Sequence, residues 1–228
     1  MSAIAIDTAG WAFAGAAAWT LLEYSLHRGL GHRWTGNAFG REHTRHHATT
    51  HYFAPGWKKA LAAAPVVLAT AAAAALALGP RPGLAFAAGL ALAYVAYEVV
   101  HRRAHTHGPR GPYGRWLRRH HFHHHFHAPA TNHGVTSPVW DLVFGTYARP
   151  GTIRVPEKHA MPWLVDGSGE VRPEHADAYV VNRRRPGQPP RRPLGPPLPH
   201  APGDLAPLGE EGGPPLAPVA AARSEEAR

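Results

Sequence analysis

The sequence predicts an all-α fold, an integral-membrane helical bundle with about three to four transmembrane helices. Three observations carry this expectation. Ala60 to Gly79 is a run of twenty residues without a charge. A second apolar run, Gly83 to Val100, follows almost at once and carries a single charge, Glu98. The chain holds 19 histidines, and they gather in clusters that flank these runs.

Taken in order, Ala3 to Leu22 is the first apolar stretch, interrupted by Asp7. A cleaved leader is the rival reading, but the early positive charge of such a segment is missing, and the helical pattern runs on into Glu23-Tyr24-Ser25-Leu26-His27. The run Ala60 to Gly79 reaches the thickness of a hydrocarbon core, at ~1.5 Å of rise per residue. Gly79-Pro80-Arg81-Pro82-Gly83 is a short, helix-breaking connection, so the second and third stretches form a transmembrane hairpin. Mean hydropathy is slightly negative only because apolar stretches and a polar remainder cancel. The blander alternative is a set of alanine-rich buried helices, but twenty uncharged residues are hard to bury in so small a chain.

The flanks set the orientation. His27 to Lys59 carries Arg28, Arg33, Arg41, Arg45, Lys58 and Lys59 against Glu42 alone, and Arg102, Arg103, Arg110, Arg115, Arg118 and Arg119 follow His101. The hairpin loop has only Arg81. Both basic segments are therefore expected on the cytoplasmic face. Two crossings separate them, so both histidine-rich regions share that face. Residues 1–182 form one membrane domain by this reading. From 183 to 228 the chain holds twelve of its 24 prolines and few large apolar residues, the composition of a disordered tail.

The absence of cysteine excludes disulfides, thiolate metal sites and thiol nucleophiles. Any metal is held by nitrogen or oxygen. A net charge of +9 raises nucleic acid as a partner, but no soluble basic motif accompanies it, and no nucleic-acid role is expected. Four clusters carry the chemistry: Glu23 to His32; His43-Thr44-Arg45-His46-His47; His101-Arg102-Arg103-Ala104-His105; and His120 to His127. Residues three and four apart share a helix face, so His43, His46 and His47 point one way, as do His101 and His105. In the fourth cluster His121, His124 and His125 span roughly 100° of the helix, while His123 and His127 fall elsewhere and His120 lies between. His27 and His32 are about 140° apart on a regular helix, and Gly29 and Gly31 are where the helix end could loosen to bring both inward. Ten imidazoles suit two metal ions, and ligand type alone leaves zinc, copper, iron and nickel open. A low-complexity metal-sequestering tract is the alternative for the fourth cluster. Glu98 is either a partner orienting a histidine or an interfacial charge, Asp141 has the same orienting potential, and Trp140 suits an interfacial anchor.

Glu-Tyr-x-x-His-Arg-x-x-x-His, His-x-x-His-His, His-x-x-x-His and His-x-x-His-His, in this order around a hairpin, resemble the fatty acid hydroxylase and sterol desaturase superfamily. The segment Asn132 to Thr146 matches the stretch after its last histidine box, so the resemblance covers Leu22 to Thr146. It implies metal ligands His27, His32, His43, His46, His47, His101, His105, His121, His124 and His125. Glu23, Glu98, His120, Asn132 and Asp141 are expected around them as supporting residues. The implied cofactors are two iron ions, with zinc possible on purification, and O2 is the co-substrate. The implied activity is oxygenation of a fatty acyl or isoprenoid C–H bond of a lipid, with electrons from an external cytochrome- or ferredoxin-type donor. Sterol or lipid desaturation and carotenoid ring hydroxylation are variants of that chemistry; a non-enzymatic, histidine-rich metal-handling membrane protein is the rival outside it. His133 stands where the family usually has phenylalanine, and the run His123 to His127 is richer in histidine than usual.

Overall fold

The computed structural model describes residues 3–183; the tail expectation lies outside them. Helix α1 spans Ala3–Leu26 and passes directly into a π-helical turn, His27–Arg33. Helix α2 is Ala38–Ala48, with the Asn37 side chain accepting the Gly40 N–H at 2.9 Å as its N-cap. Helices α3 (Gly56–Leu78) and α4 (Pro80–Thr106) form the hairpin, and α4 starts at the proline of the expected turn. Helix α5 is Gly111–Phe126, and the short α6 is Val139–Val143.

The fold is mostly helical, as expected, with one addition. Strands β1 (Ile153–Pro156) and β2 (Tyr179–Asn182) form a small parallel sheet, with Ile153 opposite Tyr179. Phe122 of α5 packs into the cluster Ile153, Val155, Met161, Leu164 and Tyr179, which gives α5 an apolar seat. Four-residue strands are too short to stand out in a sequence.

Among the described helices, α3 and α4 are long and apolar enough to cross a membrane. Helix α1 is long enough at 24 residues but is the one that contains Asp7. No residue of α3 is buried, an arrangement water would penalise over so long an apolar helix. Helix α1 packs against α4 in parallel at very short range. A Cβ built on Gly89 would lie 1.8 Å from the Ala12 carbonyl oxygen, and one on Gly15 would lie 1.9 Å from that of Phe86. Such close backbone approach through small residues is how helices associate in lipid. Further along, Trp19 meets Tyr94 and Tyr97 with ring centroids 5.0 and 5.6 Å apart. Helix α3 runs antiparallel to α4, and Lys59 near its start pairs with Glu98 near the end of α4. The end of α1, the start of α3 and the end of α4 therefore meet at one end of the bundle, where all the histidine clusters lie.

Candidate metal centre

The π-turn is the local device that brings the first cluster to the centre. With i→i+5 bonding, residues five apart fall near each other on one face. His27 and His32 thus converge, with ring centroids 5.2 Å apart, where a regular helix would splay them.

Ten histidines gather in two groups of five. His27, His32, His43, His47 and His124 form one; His46, His101, His105, His121 and His125 form the other. Within each, one ring nitrogen per residue lies within 4.8 Å of all the others. The neighbours His46 and His47 go to different groups, as do His124 and His125. Adjacent helical residues diverge by about 100°, so each doublet straddles both centres. His43, His46 and His47, expected to point the same way, are divided accordingly. Helix α2 gives two histidines to the first group and one to the second, α5 does the reverse, the π-turn gives two to the first, and α4 gives two to the second.

Backbone carbonyls fix the tautomers. His27 Nδ1 donates to the carbonyl of His133 at 2.5 Å, His124 Nδ1 to that of Thr131 at 2.7 Å, and His46 Nδ1 to that of Tyr52 at 2.8 Å. A carbonyl only accepts, so in these three Nδ1 holds the proton and Nε2 turns a lone pair inward. His27 Nε2 lies 3.1 Å from His43 Nε2, and His124 Nε2 lies 3.0 Å from His32 Nε2 and 3.2 Å from His47 Nε2. In the second group, Nε2 of His46, His101 and His125 is buried without any hydrogen-bond partner, and His105 Nε2 faces His121 Nε2 at 2.8 Å. Buried lone pairs aimed at one another repel unless a cation lies among them. The residues therefore fit two nitrogen-ligated metal ions.

The protonation states agree. Burial pushes His32 and His46 down to about 4. It also lowers His43, His47, His121, His124 and His125 well below the usual imidazole range, and neighbouring histidines lower them further. The rings are held neutral, the form that ligates metal.

The supporting residues divide. Asp141 is fully buried and accepts the N–H of His133 at 2.8 Å, the N–H of Gly134 at 2.8 Å and the Thr146 hydroxyl at 2.7 Å. Burial alone would raise its carboxyl, but His120, His133, Gly134 and Thr146 together hold it well below the usual range. Asn132 adopts φ 55° and pairs through its side chain with both backbone groups of Ala148. Glu23 accepts the Thr136 N–H at 3.1 Å and its hydroxyl at 2.6 Å, tying α1 to the same loop without touching a histidine. Glu98 goes to Lys59 and is no histidine's partner; of its two readings the structure favours the interfacial charge. His120 belongs to neither group: it is buried beside Trp116 and Tyr147, with Nε2 3.6 Å from Asp141. His123 and His127 stack on each other away from the centre, and His127 Nε2 accepts the Arg154 N–H of β1 at 2.8 Å.

Several contributors carry no sequence signature. The carbonyls of Tyr52, Thr131 and His133 act as backbone groups that any residue has. Arg118 donates to the carbonyls of Arg103, His107 and Gly114, which locks the end of α4 to α5 and so aligns the four histidines, His101, His105, His121 and His125, that those helices give to the second group. Buriedness of one arginine within a basic segment is not legible from composition.

The family model described as fatty acid hydroxylase matches residues 12–146. A dihydroceramide fatty acyl 2-hydroxylase of Arabidopsis thaliana is 34% identical over 151 residues, covering 58% of each chain. A ceramide very long chain fatty acid hydroxylase of Saccharomyces cerevisiae is 35% identical over 158 residues, 60% of this chain and 37% of that one. Among solved structures, full-length scs7p, of which only the hydroxylase domain is visible, is similar with a TM-score of 0.53 and 29% identity, over 64% of this chain and 58% of that one. The chain thus spans about three fifths or less of the length of these relatives.

Proposed function

We propose that this chain, which belongs to the fatty acid hydroxylase family, is a membrane-bound di-iron oxygenase that hydroxylates a fatty acyl chain of a lipid. The observation that carries the reading is the pair of five-histidine groups at one end of an apolar hairpin. Turning a C–H bond into C–OH is a two-electron oxidation, which no acid or base side chain can supply, so side-chain chemistry alone does not accomplish it. Two bound metal ions would supply the oxidising power, drawing on O2 and two electrons from an external donor.

The chain's own residues do the rest. His27, His32, His43, His47 and His124 would hold one ion; His46, His101, His105, His121 and His125 would hold the other. The carbonyls of His133, Thr131 and Tyr52 keep three of these rings in the ligating tautomer. The second group is wholly buried, whereas His32, His43 and His47 are partly exposed, so substrate approaches from the first group's side. The Arabidopsis thaliana relative is by name a fatty acyl 2-hydroxylase, acting at carbon 2 of the acyl chain. That carbon lies next to the polar end of a lipid, and a centre at the ends of the spanning helices is at the matching depth. We place both basic segments, and the centre with them, on the cytoplasmic face. Reagent that reaches cysteines introduced at both Thr49 and Pro129 from outside the cell would reverse that orientation.

The test of the activity is lipid mass spectrometry of a host with the gene, without it, and with His121→Ala. The expected result is acyl lipids that gain one oxygen only with the intact gene. A loss of two hydrogens would make the protein a desaturase, and no change in any lipid despite full metal loading would leave it a metal-handling protein.

A further inference from the structure

Helix α6 contains Val139-Trp140-Asp141-Leu142-Val143 and is followed by Phe144. Asp141 turns inward, but Val139, Leu142, Val143 and Phe144 are all exposed, Leu142 and Val143 at 60% and 62%. Four exposed large apolar residues on six consecutive positions are a patch that water would not stabilise.

The position of α6 identifies what covers it. Trp140 Nε1 donates to Thr20 Oγ1 at 2.8 Å, and Phe144 stacks on Tyr24 with ring centroids 5.3 Å apart. Helix α6 is thus fastened to the side of α1, and Thr20 lies seven residues before His27, about 10 Å back along the helix. A second measure agrees. Counting about 20 residues of α4 from Pro80, the length that spans a hydrocarbon core, puts the near edge of that core around Val99. Trp19 packs against Tyr94 and Tyr97 of α4, short of that edge, so its neighbour Thr20 also lies at or inside it. Leu21, the neighbour of Thr20 on α1, is exposed as well.

We infer that α6 and Phe144 insert into the acyl-chain layer at the histidine-bearing edge of the bilayer, so that lipid is the partner that covers this face. The inference rests on the spanning assignment of the α3–α4 hairpin. Its consequence is that one five-residue helix meets lipid with Leu142 and Val143 while its Asp141 holds the turn that orients His27. The bilayer therefore helps to position the metal centre.

The chain has no cysteine, so single-cysteine variants report single sites. Leu142→Cys and Val143→Cys are labelled with an environment-sensitive fluorophore in the full chain and reconstituted in phosphatidylcholine vesicles. Leu68→Cys, at the middle of α3, and Ser168→Cys, in an exposed loop, serve as references. Quenching is measured with spin-labelled lipids, shallow and deep, and with aqueous iodide. The expected result is that labels at 142 and 143 are quenched at least about twofold more by the shallow lipid label than by iodide, as for an interfacial helix. The label at 68 should respond most to the deep lipid label, and that at 168 to iodide alone. Labels at 142 and 143 that behave like 168, with 68 still quenched from lipid, overturn the inference and leave the spanning hairpin standing. A label at 68 that lipid does not quench overturns the hairpin, and the inference with it. Protection of 142 and 143 from both quenchers, with cross-links between copies, assigns the face to a second copy and also overturns it. Two adjacent sites guard against one variant failing to fold.

Discussion

Asp141 accepts the N–H of His133 at 2.8 Å, and the carbonyl of the same His133 receives the Nδ1–H of His27. One buried carboxylate thus sets the ring orientation of a histidine it never touches. Asp141→Asn puts an NH2 group where one of three donors now points. Leaving a buried donor unsatisfied costs about 1–3 kcal/mol. The variant should melt several degrees lower and lose metal from the first histidine group before the second. Thermal unfolding and metal content per chain check both.

Gly89 faces the Ala12 carbonyl with no room for a side chain. Gly89→Leu should separate α1 from α4, at about 1–3 kcal/mol or more for overpacking, and carry the π-turn away from the other histidines. Gly10→Ala adds a methyl that meets nothing within 4 Å and should be neutral. Size-exclusion profiles in detergent and metal content separate the two.

The metal-free protein should weaken as pH falls. Burial holds His32 and His46 at about 4 in the folded chain, against roughly 6.5 when unfolded. Between those values the unfolded chain takes up protons that the folded chain refuses, so acid favours unfolding. Folding stability should be at its plateau above about pH 6.5 and decline steadily towards pH 4. The midpoint should drop by roughly 5 °C or more from pH 7 to pH 5. A midpoint that stays flat or rises across this range would contradict buried, neutral imidazoles.

The sequence made the histidine layer legible because helical spacing is written directly in His43/His47, His101/His105 and His121/His125. It did not disclose how adjacent histidines divide, because that depends on where two centres sit relative to each helix axis. The π-turn at His27–Arg33 was foreshadowed only by Gly29 and Gly31, since glycine permits several irregular helix ends. The hairpin was plain from an uncharged run, whereas β1 and β2 are each too short for a period to show. The carbonyls that orient His27, His46 and His124 come from His133, Tyr52 and Thr131, and a backbone acceptor leaves no mark on residue type.

The central claim is an ordered pair of metal sites, and metal stoichiometry across the histidines of α5 tests it most directly. The protein loaded anaerobically with iron should carry two ions per chain. Alanine at His121 or His125 should deplete the second group and alanine at His124 the first, each removing about one ion and abolishing turnover. Alanine at His123 or His127 should leave both ions in place, and alanine at His120 should lower affinity without removing a ligand. Equal, graded losses at all six positions, or no bound iron in the unaltered chain, would contradict the account.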